Sequence, residues 1–298
     1  MTYNHKDYIV QAIEGVLLQK VNFIYELLIA DDYSTDGTRE IILAYKKKYP
    51  LLITLILHDK NVGALKNWIS LIFNPNSKYI AFFEGDDFWT NENKLQIQFD
   101  FLEKNDDYVL CYHSVNVLLN DGTLNHDFIR KTQKKDTSLY DLAVWGNYIH
   151  TCSIVFRNYL NRIPDDHKIY LCDYFLYMEL TKYGKIKKLS ENMAIYRYGN
   201  GVWSSKPNNI KQKYLVDNIY NILKTTDDDT VKEIMNLRLD SIAFYSLPNY
   251  ITKIEDTTNR SFDFELNEKI PISILLNVIN KKIILKLKKI ILKFSKFS

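Results

Sequence analysis

Carboxylates gather at two places in this 298-residue chain, Asp31-Asp32 in LLIADDYSTDGT and Glu84, Asp86 and Asp87 in KYIAFFEGDDFW. Acidic groups collected at the carboxyl edge of a sheet are what a divalent cation and a nucleotide diphosphate need. Each cluster directly follows an apolar run, Leu27 to Ala30 and Tyr79 to Phe83, so a buried strand would deliver each to that edge. In EGDDFW three carboxylates fall within four residues, where a strand-to-helix connection needs one capping acid. A site for Mg2+ or Mn2+ is therefore favoured over a solvated acidic turn. In DDYSTDGT, Ser34, Thr35, Asp36 and Gly37 also suit a plain turn that ends a strand and caps the next helix. That plain role explains Asp31-Asp32 poorly, because adjacent carboxylates repel unless something binds them.

The elements that must carry these residues are legible from periodicity. Tyr8, Ile9, Ala12, Ile13, Val16 and Leu17 form the stripe of an amphipathic helix over 7–18. The pattern continues as a strand at 26–30, a helix at 38–49, a strand at 51–57, a helix at 64–73 and a strand at 78–83. This alternation predicts an α/β fold with a mostly parallel, doubly wound sheet flanked by helices. It opens on a helix that should be a crossover between two strands, so a strand is expected ahead of Met1. Further on, Leu95, Phe99 and Leu102 share a helical face, 108–119 reads as strand, and 121–148 has little pattern and suits a surface excursion towards a substrate. A strand at 151–157, a helix at 174–183 and helices at 209–224 and 228–246 complete the reading.

Composition excludes several classes. Cys111, Cys152 and Cys172 are odd in number and form no CxxC pair, which argues against a disulfide framework or a zinc site and suits a reducing cytoplasm. Nothing opens the chain like a signal peptide, and no uninterrupted apolar run reaches the roughly 18 residues of a membrane span, so a soluble body is expected. The net charge of +3 hides a split: residues 281–298 hold seven lysines and no acid, leaving 32 basic against 36 acidic residues elsewhere. An acidic body is not the footprint of a nucleic-acid binder. In 283–294, Ile283, Ile284, Leu287, Ile290, Ile291 and Phe294 share a helical face with lysines around it. That is the pattern of a helix lying on an anionic membrane surface, with docking on the body as the competing use.

TYNHKDYIVQAIEGVLLQ at 2–19, IADDYSTDGT at 29–38, NVG at 61–63, EGDDFWTNENKLQIQFDFL at 84–102 and IYRYGNGVWS at 195–204 resemble, in order, the motifs of bacterial family 2 glycosyltransferases. The resemblance covers about residues 1–205 and implies a GT-A fold and inverting transfer. It implies that Tyr3 and Asp32 contact the nucleotide base, that Asn61 lies near the nucleotide, and that Asp86 with Asp87 holds ribose and metal-bound diphosphate. Glu84 fills the first acidic position of the metal motif. Asp173, opening a helix in LCDYFLYMELTKYGK, is the candidate general base, with an ordinary helix cap as its competing role. His150 is a candidate acceptor contact, although a lone histidine is more often structural.

The sequence departs from the family where many relatives carry a histidine after the YR pair; here Gly199 stands in YRYGNGVWS. The implied organisation is a catalytic domain at 1–205, a helical extension at 206–268 and a basic amphipathic tail at 269–298. The implied function is metal-dependent transfer of a sugar from a nucleoside-diphosphate sugar to a glycan or lipid-linked acceptor hydroxyl. It would take place at the cytoplasmic face of the cell membrane, with no nucleic-acid partner. A catalytically silent sugar-nucleotide-binding or scaffold protein, and a nucleotidyltransferase, are the alternatives.

Overall fold

The computed structural model describes residues 1–128, 134–160, 169, 171–199, 201 and 206–245. The chain falls into two compact units, Met1–Asn221 and Ile222–Ser298. In the first, α1 (Ile9–Leu17), β1 (Leu27–Asp31), α2 (Thr38–Lys48), β2 (Ile53–Leu57), α3 (Ala64–Ile72) and β3 (Tyr79–Ala81) alternate as expected. There follow β4 (Phe88–Trp89), α4 (Lys94–Lys104), β5 (Tyr108–Leu118), β6 (Leu124–His126), β7 (Asp136–Thr137) and α5 (Leu139–Trp145). A 3-10 turn at Thr151–Ser153 leads into β8 (Val155–Arg157), then α6 (Cys172–Leu180), β9 (Lys185–Arg197) and α7 (Asn208–Thr225), whose last turn opens the second unit. In that unit α8 (Asp229–Tyr245) starts after Asp228, whose Oδ1 accepts the Val231 N–H at 3.0 Å.

The α/β class stands, but the pairing is more mixed than a mostly parallel sheet. β1 pairs β2, and β5 pairs β9, in parallel. The larger sheet runs β3-β8-β5-β9-β4, with β8 antiparallel to both neighbours and β4 antiparallel to β9. Of the strands in the initial alternation only β1 and β2 pair with each other, while β3 pairs antiparallel with β8 from much later in the chain. The strand expected at 151–157 shortens to the three residues of β8, because the backbone first closes the turn at Thr151–Ser153.

The two sheets are joined through Met1 and Thr2, the latter forming an isolated parallel bridge with β1. The Thr2 N–H donates to Ala30 O at 2.9 Å, the Asp32 N–H to Thr2 O at 3.1 Å, and the Gly85 N–H to Met1 O at 2.8 Å. Met1 and Thr2 thus satisfy the open backbone edge of β1 on one side and of the segment after β3 on the other. Apolar residues pack on both faces: Ile9, Ala12, Ile13, Ile29, Ile42 and Ile53 in one cluster, and Val16, Trp89, Leu95, Leu102, Cys111 and Val155 in another.

β4 and β9 carry no expectation from the sequence, whereas β6, β7 and α5 fall in the 121–148 stretch expected to be a surface excursion, of which Leu142, Ala143, Val144 and Tyr148 are instead buried. β9 is studded with charge in KIKKLSENMAIYR, which masks its half-buried strand character. α5 does carry a legible start signal, Ser138 to Asp141, whose side chains form a reciprocal capping box. No helix among the described residues is long and apolar enough to cross a membrane. The basic tail lies outside the described residues.

Candidate active site

Successive side chains on a strand point to opposite faces, so the two carboxylates that end β1 meet different partners. Asp31, fully buried, takes Arg39 Nε at 2.6 Å, the Ser34 N–H at 3.3 Å and the Ser34 hydroxyl. Arg39 is itself anchored through Nη2 on His58 O at 2.7 Å. Asp31 is therefore a neutralised structural carboxylate. Asp32 turns the other way: Oδ1 accepts the Val62 N–H at 2.6 Å, Oδ2 accepts the Gly63 N–H at 3.0 Å, and Asn61 Nδ2 donates to Asp32 O at 3.2 Å. The NVG segment thus closes over Asp32, bringing Asn61 and Asp32 together. Tyr3 follows Thr2 on the adjacent segment and is 40% exposed.

The STDGT turn is occupied with holding the loop beyond Tyr3. Asn4, at φ 54°, donates its N–H to Ser34 Oγ and accepts the Thr35 N–H, both at 2.9 Å. The His5 N–H reaches Thr38 Oγ1 at 2.8 Å, and the Lys6 N–H reaches Asp36 Oδ2 at 2.9 Å. These four contacts make the turn a cradle for a backbone rather than for a ligand.

The second acidic loop lies two backbone segments away, since Asp32 and Gly85 flank Met1 and Thr2 on either side. At ordinary strand spacing that separates the two loops by about 10 Å. A Cβ on Gly85 would stand 3.0 Å from His5 Nδ1 and 3.0 Å from Ile9 Cδ1, so any larger residue would have to displace those side chains. Asp87 is buried; its Oδ1 accepts the Arg197 N–H at 2.8 Å, and burial pushes its carboxyl well up, the charges of Asp86 and Glu84 adding to the rise. Glu84 accepts from the Thr151 hydroxyl. Burial pushes the Glu84 carboxyl up to about 7, the charges of Asp86 and Asp173 adding to the rise while the Thr151 bond opposes it.

Arg197, at the end of β9, holds this loop from behind. Its guanidinium donates to Asp86 O and to Gln11 Oε1 and sits 4.8 Å from the Tyr8 ring centroid and 4.7 Å from that of Phe88. No donor among the described residues meets the Asp86 carboxylate. Among the described residues no three His, Cys, Asp or Glu side chains converge as a metal cluster. Asp86 and Asp87 nonetheless fit a smaller donor set, since Mg2+ commonly takes one or two carboxylates and completes its shell with water and substrate phosphate. Gly199 adds no ligand: its φ is 113°, a backbone conformation strained for any other residue, and a Cβ there would lie 2.8 Å from Asn120 Nδ2, so the Asn120 side chain would have to move for an imidazole to enter.

Asp173 is not the cap of α6. That position belongs to Leu171, and Asp173 sits in the first turn. Its Oδ1 accepts the Tyr174 N–H at 2.8 Å and its Oδ2 accepts Asn147 Nδ2 at 2.5 Å. His150 is buried, with Nε2 3.1 Å from Asp127 Oδ2 and its ring 4.6 Å from that of Tyr196, so it faces protein on both sides.

Behind the loop, Trp89 Nε1 donates to Cys152 O at 3.0 Å, and the buried Lys94 ammonium lies 4.2 Å from the Trp89 ring centroid. Asn4, Asn147, Thr151 and Arg197 escape a sequence reading, although Arg197 stands in the YR pair and Trp89 with Lys94 in FWTNENK.

A sequence model of glycosyl transferase family 2 matches residues 1–163. An uncharacterised protein of Mycobacterium tuberculosis is 34% identical over 206 residues, 69% of this chain and 59% of its own, so this chain spans about three-fifths of that relative. TuaG of Bacillus subtilis, named for glycosyl transfer in teichuronic acid biosynthesis, is 28% identical over 206 residues, 68% of this chain and 79% of its own. Staphylococcus aureus TarS, solved with UDP-GlcNAc, shares the fold with a TM-score of 0.58 at 18% identity, over 94% of this chain and 77% of that one. A mannosyltransferase of Pyrobaculum calidifontis, solved with GDP-Man and Mn2+, does so with a TM-score of 0.58 at 13% identity, again over 94% and 77%. These likenesses establish the GT-A type of α/β fold. With a family match that takes in both acidic loops and more than half of the sequence, this chain belongs to glycosyl transferase family 2.

Proposed function

We propose that the chain transfers a sugar from a nucleoside-diphosphate sugar to an acceptor hydroxyl, with inversion at the anomeric carbon. The observation that carries this reading is that Met1 and Thr2 bond the Asp32 segment on one side and Gly85 of the EGDD loop on the other, so that acidic loops from two sheets flank one short segment, with Asp173 near enough to Glu84 for its charge to raise that carboxyl. Asp32, Asn61 and Tyr3 form the nucleotide end. Asp86 and Asp87 are the residues that would hold a Mg2+ or Mn2+ ion, whose charge offsets that of the departing diphosphate when it is bound. The bond between the anomeric carbon and the diphosphate oxygen breaks, its electron pair leaving with the nucleoside diphosphate. The acceptor oxygen forms the new bond from the opposite face and gives its proton to the Asp173 carboxylate. TarS with UDP-GlcNAc and the mannosyltransferase with GDP-Man support the donor class. TuaG supports a glycan acceptor, and the basic tail favours one presented at the cytoplasmic membrane face.

The test is a panel of nucleotide sugars with Mn2+, read by thermal stabilisation and by product. Selective stabilisation with release of nucleoside diphosphate is expected, lost in Asp86→Ala and reduced at least a hundredfold in Asp173→Asn with nucleotide binding retained. Release of pyrophosphate would indicate nucleotidyl transfer instead. Binding without any turnover would leave a sugar-nucleotide-binding protein.

A further inference from the structure

A base that must take a proton from one hydroxyl at one angle needs its carboxylate plane fixed, and the loop before the Thr151–Ser153 turn supplies the means. α5 ends at Gly146, whose φ of 75° turns the chain so that the next side chain, Asn147, enters the interior, where it is 7% exposed. Its orientation is decided by a second bond: Oδ1 accepts the Ile149 N–H at 2.9 Å, so the NH2 group must face the other way. There Nδ2 lies 2.5 Å from Asp173 Oδ2. The elements that bring the two residues together are tied as well, since the Tyr174 hydroxyl of α6 donates to Leu142 O of α5 at 2.9 Å. Among the described residues each Asp173 oxygen thus has a donor, the Tyr174 N–H from its own helix and the Asn147 amide from 26 residues away. A donor on each oxygen fixes both the tilt and the rotation of a carboxylate, and a buried amide holds its own geometry in turn.

We propose that Asn147 is a positioning residue for sugar transfer, acting through Asp173. This rests on the reading of Asp173 as the general base. The amide stabilises the ionised carboxylate, the form that accepts a proton, and holds it in the plane the acceptor hydroxyl meets. An asparagine that merely tied a loop to a helix would show its effect in stability and in nucleotide binding together.

The experiment uses the full chain with whichever of UDP-GlcNAc and GDP-mannose it turns over, in Asn147→Ala, Asn147→Asp and Asp173→Asn proteins and the two corresponding double variants. Asn147→Asp keeps the shape and replaces the donor with a second carboxylate, so it serves where the alanine protein folds poorly. Expected for both variants is a ten- to hundredfold loss in kcat with nucleoside-diphosphate affinity within twofold of wild type. The acid limb of the rate profile should move to higher pH, and neither substitution should cost anything further in the Asp173→Asn background. A kcat within twofold of wild type, or the same fold-loss in the Asp173→Asn background as alone, overturns the proposal.

Carbon-13 carboxyl titration gives a readout independent of turnover, for which the midpoint of Asp173 should rise in Asn147→Ala and an unchanged midpoint is contrary. Full activity in Asp173→Asn would instead overturn the assignment of the base. A dead Asp173→Asn protein beside active Asn147 variants would remove only the role given to Asn147.

Discussion

Asp31 and Asp32 show how one residue decides between architecture and chemistry. The pair looks alike in sequence, yet the alternation of β1 sends Asp31 into the fold beside Arg39 and Asp32 towards the NVG segment. The repulsion expected of adjacent carboxylates is relieved by protein partners on both sides, which is why the pair by itself does not demand a ligand. Removing Arg39 would leave the Asp31 carboxylate buried with only Ser34 as donor. Arg39→Met should therefore lower unfolding stability by about 3 kcal/mol, a magnitude typical of an uncompensated buried charge. Urea denaturation checks it; a midpoint equal to wild type would show that Ser34 suffices. At this scale the sequence reveals acidic loops but not the asparagines that bond to the first of them and to Asp173. Asn4 and Asn147 matter through bonds to residues about 30 positions away, and no local pattern encodes those partners.

Among elements, the first helices and strands were legible because each has one apolar face of the right period, and α1 through β3 match their expected spans to within a few residues. β4, β6 and β7 have too few residues to show a period, and β9 is hidden by its lysines. The start of α4 carries a further consequence. Its first residue, Lys94, is buried, donates to Gln98 Oε1 at 2.7 Å and lies over Trp89 of β4, while Gln98 Nε2 reaches Cys111 O at 3.1 Å and Ser153 O at 2.9 Å. One lysine and one glutamine thus peg β4, α4, β5 and the turn that carries Thr151. Burial pushes the Lys94 ammonium down to about 7 from an ordinary 10.5. Between those values the unfolded chain holds the proton and the folded chain does not, so stability rises with pH across that window. Below about 7 both states hold it and the burial penalty is fully felt. The thermal midpoint of wild type should therefore gain on that of Lys94→Met as pH rises from 7 to 10, and parallel curves would refute this origin of the pH dependence.

For the chain as a whole, residues 281–298 carry seven lysines and no acid, against 32 basic and 36 acidic residues elsewhere in the sequence. We expect the tail to bind anionic membrane: deleting residues 281–298 should abolish co-sedimentation with phosphatidylserine vesicles while leaving nucleotide binding within twofold of wild type. Equal co-sedimentation by both proteins would assign the tail to another partner. Sequence by itself determined the α/β class, the places of the acidic loops, the family resemblance and the charged tail, because periodicity, motif order and composition are local properties of a chain. Tertiary structure alone decided which of two neighbouring aspartates meets Arg39 and which the NVG segment, that Gly199 holds a backbone conformation strained for other residues, that His150 is enclosed, and that Asn147 meets Asp173. Those outcomes depend on strand pairing and backbone direction between distant segments, which only the folded chain brings within hydrogen-bonding reach.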